Sequence, residues 1–406
     1  MHPLRKLYCR TFQLELKIAL PFLPYRKPKI QGSVKAIPGI MEKNHCKCAF
    51  IVTDEGVRKL GLLSRLEHAL SKHGISYFIY DQTVANPTTK NVAEALRLYQ
   101  SQGCDALIGF GGGSSIDCAK AVGACIARPK KSLAKMKGIL KVRRKLPLLI
   151  TIPTTAGSET TLAAVITDAD TRYKYAINDF PLIPRYAVLD PKITLSLPPF
   201  LTATTGMDAL THAVEAYLGR STTYGTRKDA LLAVQLIFEN LEKAYHDGSN
   251  LEARRKLLHA SYYAGCAFTK SYVGYVHAVA HSLGGEYNIP HGLANAVLLP
   301  HILNAYGPHI HRKLKKLALA AGLVSRDTKK EEASRIFLDE LHRLEDVFEL
   351  PKTFPQIQKA DIRKLSRYAD KEANPLYPVP LLLDAKELEQ FYEIVMEESC
   401  NDRTGN

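Results

Sequence analysis

The stretch DALIGFGGGSSIDCAKAVGACIA (residues 105–127) contains an apolar run, a glycine-rich turn and a second run of small and apolar residues. The first run, 105–110, is typical of a buried strand, and the second, 116–127, of a closely packed helix. Glycines at 111–113 let the backbone approach an anion, and a helix N-terminus favours negative charge. The stretch therefore predicts a nucleotide or phosphate site. A tight turn without a ligand is the alternative, because the pattern is not the G-x-G-x-x-G fingerprint.

Further strands and helices are predicted on both sides of this turn. Short apolar runs that end in polar or turn residues mark the strands, and apolar residues at helical spacing mark the helices. The predicted strands are 49–54, 76–80, 146–153 and 185–190, and the predicted helices are 56–73 and 90–102. Strands that alternate with helices indicate a parallel sheet with helices on both faces.

The pattern changes near residues 191–200. From about residue 201 onward the chain shows long helical patterns without strand alternation. The sequence therefore predicts an α/β N-terminal domain followed by an all-α C-terminal domain. A length of 406 residues is sufficient for two such domains.

The composition, 46% hydrophobic and 23% charged, is that of a globular protein with a sizeable core. No run of about eighteen apolar residues occurs, so no transmembrane helix is predicted. Glu15 and Lys17 interrupt the apolar part of the N-terminus, and no small-residue cleavage site follows, which argues against a signal peptide. The eight cysteines are scattered, and the pair Cys46 and Cys48 has no second pair, which indicates reduced thiols and a cytoplasmic location.

The net charge of +15 is concentrated in two segments, residues 1–30 and 128–145. A solvated surface is the first interpretation. The alternative is peripheral contact with an anionic membrane, because apolar residues lie among the bases of the first segment, as in an interfacial helix. These apolar residues are Phe12, Leu14, Ile18, Leu20 and Phe22. The sequence does not decide between the two, and no nucleic-acid partner is expected.

Acidic and histidine side chains stand at helical spacing in the second half of the chain. In GMDALTHAVEAY (206–217), Asp208 and His212 lie one helical turn apart. A carboxylate and an imidazole on adjacent turns form half of a metal site. A hydrogen-bonded Asp–His pair at the surface is the alternative.

Three more histidines occur in HAVAHSLGGEYNIPH (277–291). His277 and His281 share one helix face, the Gly-Gly pair at 284–285 is predicted to end that helix, and His291 begins the next one. A single buried histidine is usually a hydrogen-bonded core residue. Together with the Asp208–His212 pair, however, these residues predict a metal site, for which spacing alone would pair His277 with His281.

Four motifs together resemble those of the iron-containing (group III) alcohol dehydrogenase family, namely GGGSSIDCAK, PTTAGSE, GMDALTHAVEAY and HAVAHSLGGEYNIPHGLANAVLLPH. The resemblance extends from about residue 30 to about residue 395 and includes YADKEANPLYP (368–378). It implies an α/β dinucleotide-binding domain over 31–195 and an all-α metal-binding domain over 196–406, with the active site between them. Residues 1–30 form a basic extension outside this family core.

The resemblance also implies a ligand set, in which a divalent metal is held by Asp208, His212, His277 and His291. His281 is then not a ligand but lies beside the nicotinamide and the substrate, where an imidazole can relay a proton. Iron is the implied metal, and zinc is the alternative, because three imidazoles and one carboxylate suit both ions.

The implied cofactor is NAD. The residues that would bind it are Asp54, Asn86, Gly112, Gly113, Ser114, Asp117, Thr154, Thr155 and Lys174. Asp54 ends the first predicted strand, where a carboxylate binds both ribose hydroxyls and repels a 2′-phosphate, so NAD is favoured over NADP. The loop PTTAGSE is two residues shorter than the PTTAGTGSE usual in the family, which leaves its cofactor contacts open.

The implied function is hydride transfer between NAD(H) and a small primary alcohol or aldehyde. Relatives of the same fold remain alternatives, namely a glycerol dehydrogenase or a hydroxyacid–oxoacid transhydrogenase, whereas the complete ligand set argues against a metal-free maleylacetate reductase. A membrane-associated protein that has lost its activity is a further alternative. The resemblance also implies a homo-oligomer, with a dimer as the first expectation.

Overall fold

The computed structural model describes residues 1–155 and 161–396. The strands within these residues are β1 (Lys29–Gln31), β2 (Cys48–Val52), β3 (Ser76–Tyr80), β4 (Ala106–Gly111), β5 (Gly138–Ile139), β6 (Leu148–Pro153), β7 (Ala163–Thr167), β8 (Lys174–Asn178) and β9 (Tyr186–Val188). The helices that lie among them are α1 (Pro3–Ala19), α2 (Ile37–Lys43), α3 (Glu55–Lys59), α4 (Ser64–Lys72), α5 (Thr89–Ser101), α6 (Gly113–Ala127) and α7 (Leu133–Met136).

The main sheet has the strand order β1-β9-β6-β4-β2-β3, and every neighbouring pair is parallel. The strand order reverses at β2, because β3 pairs on one side of it and β4 on the other. In open α/β sheets a ligand binds at such a switch point, in the crevice beyond the carboxyl ends of the strands. The glycine turn after β4 lies at this point.

Both faces of the sheet are covered, as the uninterrupted apolar strands require. Alternate strand residues point to opposite faces, so Phe50 and Leu107 pack in the core with α5 and α6, whereas Ile51 and Ile108 pack in the core with α2 and α4. These side chains are fully buried. Each contributes roughly 2 kcal/mol to the free energy of unfolding through removal from water.

A second, three-stranded sheet has the order β5-β8-β7, and its strand β5 lies within the basic segment 128–145. That segment is a packed part of the fold, because Met136 and Val142 are fully buried. Three of its bases donate hydrogen bonds to main-chain carbonyls of the same segment: Arg128 to Val142, Lys131 to Lys141 at 2.8 Å, and Arg143 to Leu140. Part of the positive charge of segment 128–145 is therefore engaged in hydrogen bonds within that segment.

The described chain from residue 199 to residue 396 is mainly helical. Its helices are α8 (Pro199–Leu218), α9 (Tyr224–His246), α10 (Leu251–Ser271), α11 (Tyr275–Tyr287), α12 (His291–Tyr306), α13 (His311–Ala320), α14 (Lys330–Val347), α15 (Ile362–Ala373) and α16 (Ala385–Val395). α8 is buried along almost its whole length and packs against α9, α10 and α12. The predicted fold class, a parallel α/β sheet followed by helices, is confirmed. Across 1–155 and 161–396, no helix has the length and apolar character needed to cross a bilayer.

Two local predictions were wrong. The predicted helix 56–73 is two helices, α3 and α4, because Gly61 lies between them at φ +66°. The Gly-Gly pair at 284–285 does not end α11, which continues to Tyr287 and ends at Asn288 in the left-handed conformation. Gly285 is needed for close packing, since a Cβ there would lie 2.9 Å from the carbonyl oxygen of Arg172.

Candidate active site

The crevice at the switch point is lined by the glycine turn and by the ends of β2 and β6. Asp54 follows β2, and its Oδ1 accepts a hydrogen bond from the Val57 backbone N–H at 2.9 Å, which caps α3. Its Oδ2 accepts from the Ser115 hydroxyl at 3.0 Å. Gly111 has φ +149°, and a Cβ there would lie 2.6 Å from Ser115 Oγ. The turn is therefore held tightly against the carboxylate.

The predicted cofactor residues line two adjoining cavities that share the glycine turn. The shared residues are Gly112, Gly113, Ser114 and Thr155. Asp54 and Thr154 line the cavity beyond the ends of β2 and β3, and Asn86, Asp117 and Lys174 line the one that reaches the helical part. The structure thus brings all the predicted cofactor residues to one continuous crevice. Residues 156–159 of the PTTAGSE loop, and Thr160 after it, lie outside the described residues.

Lys174 joins the α/β part to α11 through a short polar network. Its ammonium donates to Asn86 Oδ1 at 2.8 Å, and the Asn86 amide donates to Asn288 Oδ1 at 2.8 Å. Burial lowers the pKa of Lys174 to about 8, although the nearby Asp117 carboxylate opposes the shift. Burial likewise raises the pKa of Asp117, which accepts a hydrogen bond from the Val165 N–H at 3.0 Å.

The second cavity ends at four side chains from three helices. Asp208 and His212 come from α8, His277 from α11, and His291 from the first position of α12. One ligand atom from each of these residues lies within 4.8 Å of those of the other three. From Asp208 Oδ1 the distances are 3.7 Å to His212 Nδ1, 3.9 Å to His277 Nε2 and 3.5 Å to His291 Nε2.

Burial favours the uncharged form of these imidazoles. It lowers the pKa of His212 to about 3 and, together with neighbouring cationic groups, holds the pKa of His277 and of His291 well below the usual range. A neutral imidazole presents a lone pair, which is the form that binds a metal. His277 Nε2 is buried and has no hydrogen-bond partner among the described residues. The donor set therefore fits a divalent cation.

Glu215 holds His277 in place. Its Oε2 accepts from His277 Nδ1 at 2.6 Å and from the Gly274 N–H at 2.8 Å, and its Oε1 accepts from the Val276 N–H at 2.9 Å. The carboxylate thus accepts from backbone N–H groups at the start of α11, which have no partner within the helix, and leaves His277 Nε2 directed at the cluster. A Cβ on Gly274 would lie 2.5 Å from Glu215 Oε1, so this position requires glycine.

Asn295 is a second buried partner of the cluster. It lies one turn after His291 on α12, and its amide donates to Asp208 Oδ1 at 2.7 Å and lies 3.1 Å from His291 Nε2. It is fully buried. The side chain fixes the carboxylate and the imidazole relative to one another.

His281 faces the same cavity but belongs to a different network. Its Nδ1 lies 2.6 Å from Glu372 Oε1, which also accepts from the Tyr377 hydroxyl at 2.7 Å. The ring stacks on His291 with 5.0 Å between centroids. Because Glu372 holds Nδ1, the tautomer with a proton on Nδ1 leaves Nε2 toward the cavity.

The sequence interpretation missed Glu215, Asn295, Glu372 and Tyr377. Spacing could have found the first two, because Glu215 lies three residues after His212 and Asn295 four residues after His291, on the same helix faces. No local pattern could have found Glu372, which is 91 residues away from His281 in the chain. The resemblance did include the segment 368–378 that carries it.

The cavity above the four side chains is small and largely apolar. It has a volume of about 260 Å³. Phe268 stacks on His212 with 4.3 Å between ring centroids, and Tyr272, Val273 and Leu162 complete the apolar wall. A polar cluster below an apolar wall suits a small molecule with one polar end.

Family models match both parts of the chain. Residues 30–191 match the model described as iron-containing alcohol dehydrogenase, and residues 202–395 match the C-terminal model of the Fe-containing alcohol dehydrogenase family. The two matches meet near the change from α/β to helical structure.

Individual proteins agree with the family models. Alcohol dehydrogenase 4 of Saccharomyces cerevisiae is 35% identical over 84% of this chain and 90% of its own length, and lactaldehyde reductase of Escherichia coli is 32% identical over 82% and 87%. A crystal structure of 1,3-propanediol oxidoreductase superposes with a TM-score of 0.86 at 32% identity, covering 91% of this chain and 98% of its own. The chain is therefore a member of the iron-containing alcohol dehydrogenase family.

Proposed function

We propose that this alcohol dehydrogenase transfers a hydride between NAD(H) and a small primary alcohol or aldehyde at a divalent metal held by Asp208, His212, His277 and His291. The observation that carries the proposal is the convergence of one carboxylate and three imidazoles, with ligand atoms within 4.8 Å of one another, at the end of the crevice that begins at the glycine turn. When bound there, the metal supplies Lewis acidity that polarises the alcohol or aldehyde oxygen.

Iron is the metal that we propose, with zinc as the alternative. Family membership supports iron, whereas three imidazoles and a carboxylate suit either ion. The protein's own contribution is to hold the donors in place: Glu215 fixes the His277 ring, and Asn295 fixes the Asp208 carboxylate.

NAD is the proposed cofactor. The N-terminus of α6 and the backbone of Gly112 and Gly113 would bind the pyrophosphate, because helix N-termini and glycine turns favour anions. The adenosine would occupy the cavity beside Asp54, whose carboxylate repels a 2′-phosphate. The nicotinamide, which carries the hydride, would then lie in the second cavity beside Lys174 and His281.

The Asp54→Asn variant tests the cofactor proposal. We expect the preference for NAD over NADP, as a ratio of kcat/KM values, to fall by about tenfold, which corresponds to about 1.4 kcal/mol of lost charge repulsion. Asparagine still caps α3, so the fold is kept. Steady-state kinetics with both cofactors measure the ratio. An unchanged ratio would show that Asp54 does not select the cofactor.

His281 is the proposed proton relay between the substrate oxygen and Glu372. We expect His281→Ala to lower kcat by about 100-fold, the usual contribution of a general acid or base, while the metal content of the purified protein stays at the wild-type level. Metal analysis separates this role from that of a ligand. Loss of the metal in His281→Ala, with retention in His291→Ala, would reverse the two assignments.

We also propose a homo-oligomer, a dimer first, and a cytoplasmic location. β1 is the last strand of the main sheet, with one edge unpaired among the described residues, and such edges pair readily with a second chain. The cysteines within 1–155 and 161–396 are all free thiols, which supports a reducing compartment. Sedimentation velocity of the purified enzyme measures the oligomeric state.

A substrate panel with the metal-loaded enzyme tests the proposed reaction. Ethanol, butanol, 1,3-propanediol, glycerol, lactaldehyde and succinic semialdehyde are each assayed with NAD(H). The apolar wall above the cluster leads us to expect the highest kcat/KM with small alcohols or aldehydes that carry an apolar chain. A clear preference for glycerol, or hydride exchange between a hydroxyacid and an oxoacid without free NADH, would contradict the proposal in favour of those activities.

A further inference from the structure

One face of the N-terminal helix α1 is fixed to the helical part of the protein. The Arg10 guanidinium donates to the carbonyl oxygen of Val379 at 2.7 Å, and the Gln13 amide donates to that of Tyr377 at 2.8 Å. Cys9, on the same face, is 1% exposed. These contacts set the orientation of α1, so its opposite face points in a fixed direction.

That opposite face is apolar and exposed. Exposed apolar side chains on this face of α1 and just beyond it form an apolar stripe, which Thr11 and Glu15 interrupt: Leu4, Leu7, Tyr8, Leu14, Ile18 and Phe22. They are between 56% and 85% exposed. Single exposed apolar residues are ordinary, but six on one side of a short segment mark an interaction surface.

Cations lie along one edge of the apolar stripe. Lys6 and Lys17 are exposed and stand three helical turns apart on the same side of α1. Glu15 is the single acid of this helix. The edge is therefore basic along its length.

A neighbouring loop adds to this charge. The Ser221 hydroxyl donates to the Gln13 carbonyl at 3.5 Å, which places the loop after α8 beside α1. The Lys313 ammonium donates to the Gly219 carbonyl at 2.8 Å and Arg227 donates to the Thr222 hydroxyl at 3.0 Å, so both bases lie at the loop that carries Arg220. Four positively charged side chains thus lie close together: Lys17, Arg220, Arg227 and Lys313, here called the basic cluster.

The charge argues against a second copy of this chain as the occupant of the stripe. A two-fold contact through α1 would place two basic edges and two basic clusters near one another, and like charges across an interface are unfavourable. An anionic lipid surface has the complementary properties, because its headgroups attract lysine and arginine while its acyl boundary takes up leucine, isoleucine and phenylalanine side chains.

We propose that the apolar stripe and basic edge of α1 bind the enzyme peripherally to anionic lipid membranes. The helix lies in the plane of the interface, with the stripe inserted among the headgroups and with Lys6 and Lys17 on the basic edge facing their phosphates. The substrate cavity is formed by other elements, so the proposal is independent of the proposed reaction.

Vesicle co-sedimentation of the purified enzyme tests the proposal. Vesicles of phosphatidylcholine alone are compared with vesicles of phosphatidylcholine and phosphatidylglycerol, at low and high salt. We expect binding to the anionic vesicles that weakens with salt, and a Leu7→Ser/Leu14→Ser/Ile18→Ser variant that binds them on the order of 100-fold more weakly. A Lys6→Glu/Lys17→Glu variant should bind on the order of tenfold more weakly.

Control variants test whether the loss of any exposed apolar or basic side chains weakens binding, wherever they lie on the protein. Phe200→Ser/Ile394→Ser changes exposed apolar residues elsewhere, and Lys72→Glu/Lys90→Glu changes exposed bases elsewhere, and both should bind as the wild type does. Alcohol dehydrogenase activity in detergent-free buffer reports the integrity of each variant. The proposal is overturned if the wild type does not bind anionic vesicles, or if the stripe variant binds equally well. It is also overturned if the stripe variant changes the oligomeric state, which would identify a second copy as the occupant.

Discussion

The His277→Ala variant is expected to be purified without bound metal and to have lost at least about 1,000-fold in kcat, since polarisation of the reacting oxygen by a metal is a term of several kcal/mol. Three features of His277 lead to this expectation. The side chain is 1% exposed, its Nε2 is directed at the carboxylate of Asp208, and Glu215 holds its Nδ1. Removal of the ring deletes one donor and leaves Glu215 without its imidazole partner.

Metal analysis and steady-state kinetics on the same preparation measure both effects. His68→Ala, which removes an exposed histidine from α4, should retain the metal and the activity of the wild type. A His277→Ala protein that turns over at the wild-type rate without metal would rule out the proposed ligand set. Retention of the fold is checked by circular dichroism.

Glu215→Ala is expected to lower the free energy of unfolding by about 3–5 kcal/mol and to weaken metal binding by about 10–100-fold. The stability loss follows from three donors that lose their acceptor inside the protein: the N–H groups of Gly274 and Val276 and the His277 ring. The loss of affinity follows because the His277 ring is then free to rotate or to change its tautomer. Denaturant unfolding and metal titration measure the two quantities.

Two further variants separate charge from shape at this position. Glu215→Gln keeps the side-chain volume and one acceptor, so its unfolding free energy should fall less than that of Glu215→Ala, whereas its metal affinity should fall similarly because an amide N–H faces the His277 ring. Glu239→Ala removes an exposed acid from α9 and should change neither quantity. Equal stabilities of wild type and Glu215→Ala would show that the buried carboxylate does not support the start of α11.

Local patterns predicted the fold class because the two periodicities are strong. Fully apolar runs such as 49–52 and 106–110 can bury both of their faces only as central strands of a covered sheet. The helices after residue 199 bury their apolar faces against one another. Helix boundaries were harder to predict from the sequence, because a glycine can either separate two helices or allow close packing within one. Gly61 separates two helices, whereas Gly284 and Gly285 lie inside one, because the helix must approach the chain at Arg172.

The candidate site was only partly accessible from sequence. Spacing identified the Asp208–His212 pair but gave no reason to choose His291 over His281 as the partner of His277; that choice came from the family resemblance. The structure supplies a physical difference, since His291 Nε2 lies 3.5 Å from Asp208 Oδ1, whereas His281 is not one of the four described residues whose ligand atoms lie within 4.8 Å of one another. Such long-range partners depend on helix packing, which no local pattern encodes.

Metal reconstitution tests the central claim most directly. The enzyme is stripped with a chelator and titrated anaerobically with Fe²⁺, and in parallel with Zn²⁺, while NADH formation from 1,3-propanediol and NAD is followed. We expect the stripped enzyme to be inactive and its activity to rise with added metal until one ion is bound per chain, with no recovery in His277→Ala. Full activity of the metal-free enzyme, or equal recovery in His277→Ala, would contradict a metal centre built by these side chains.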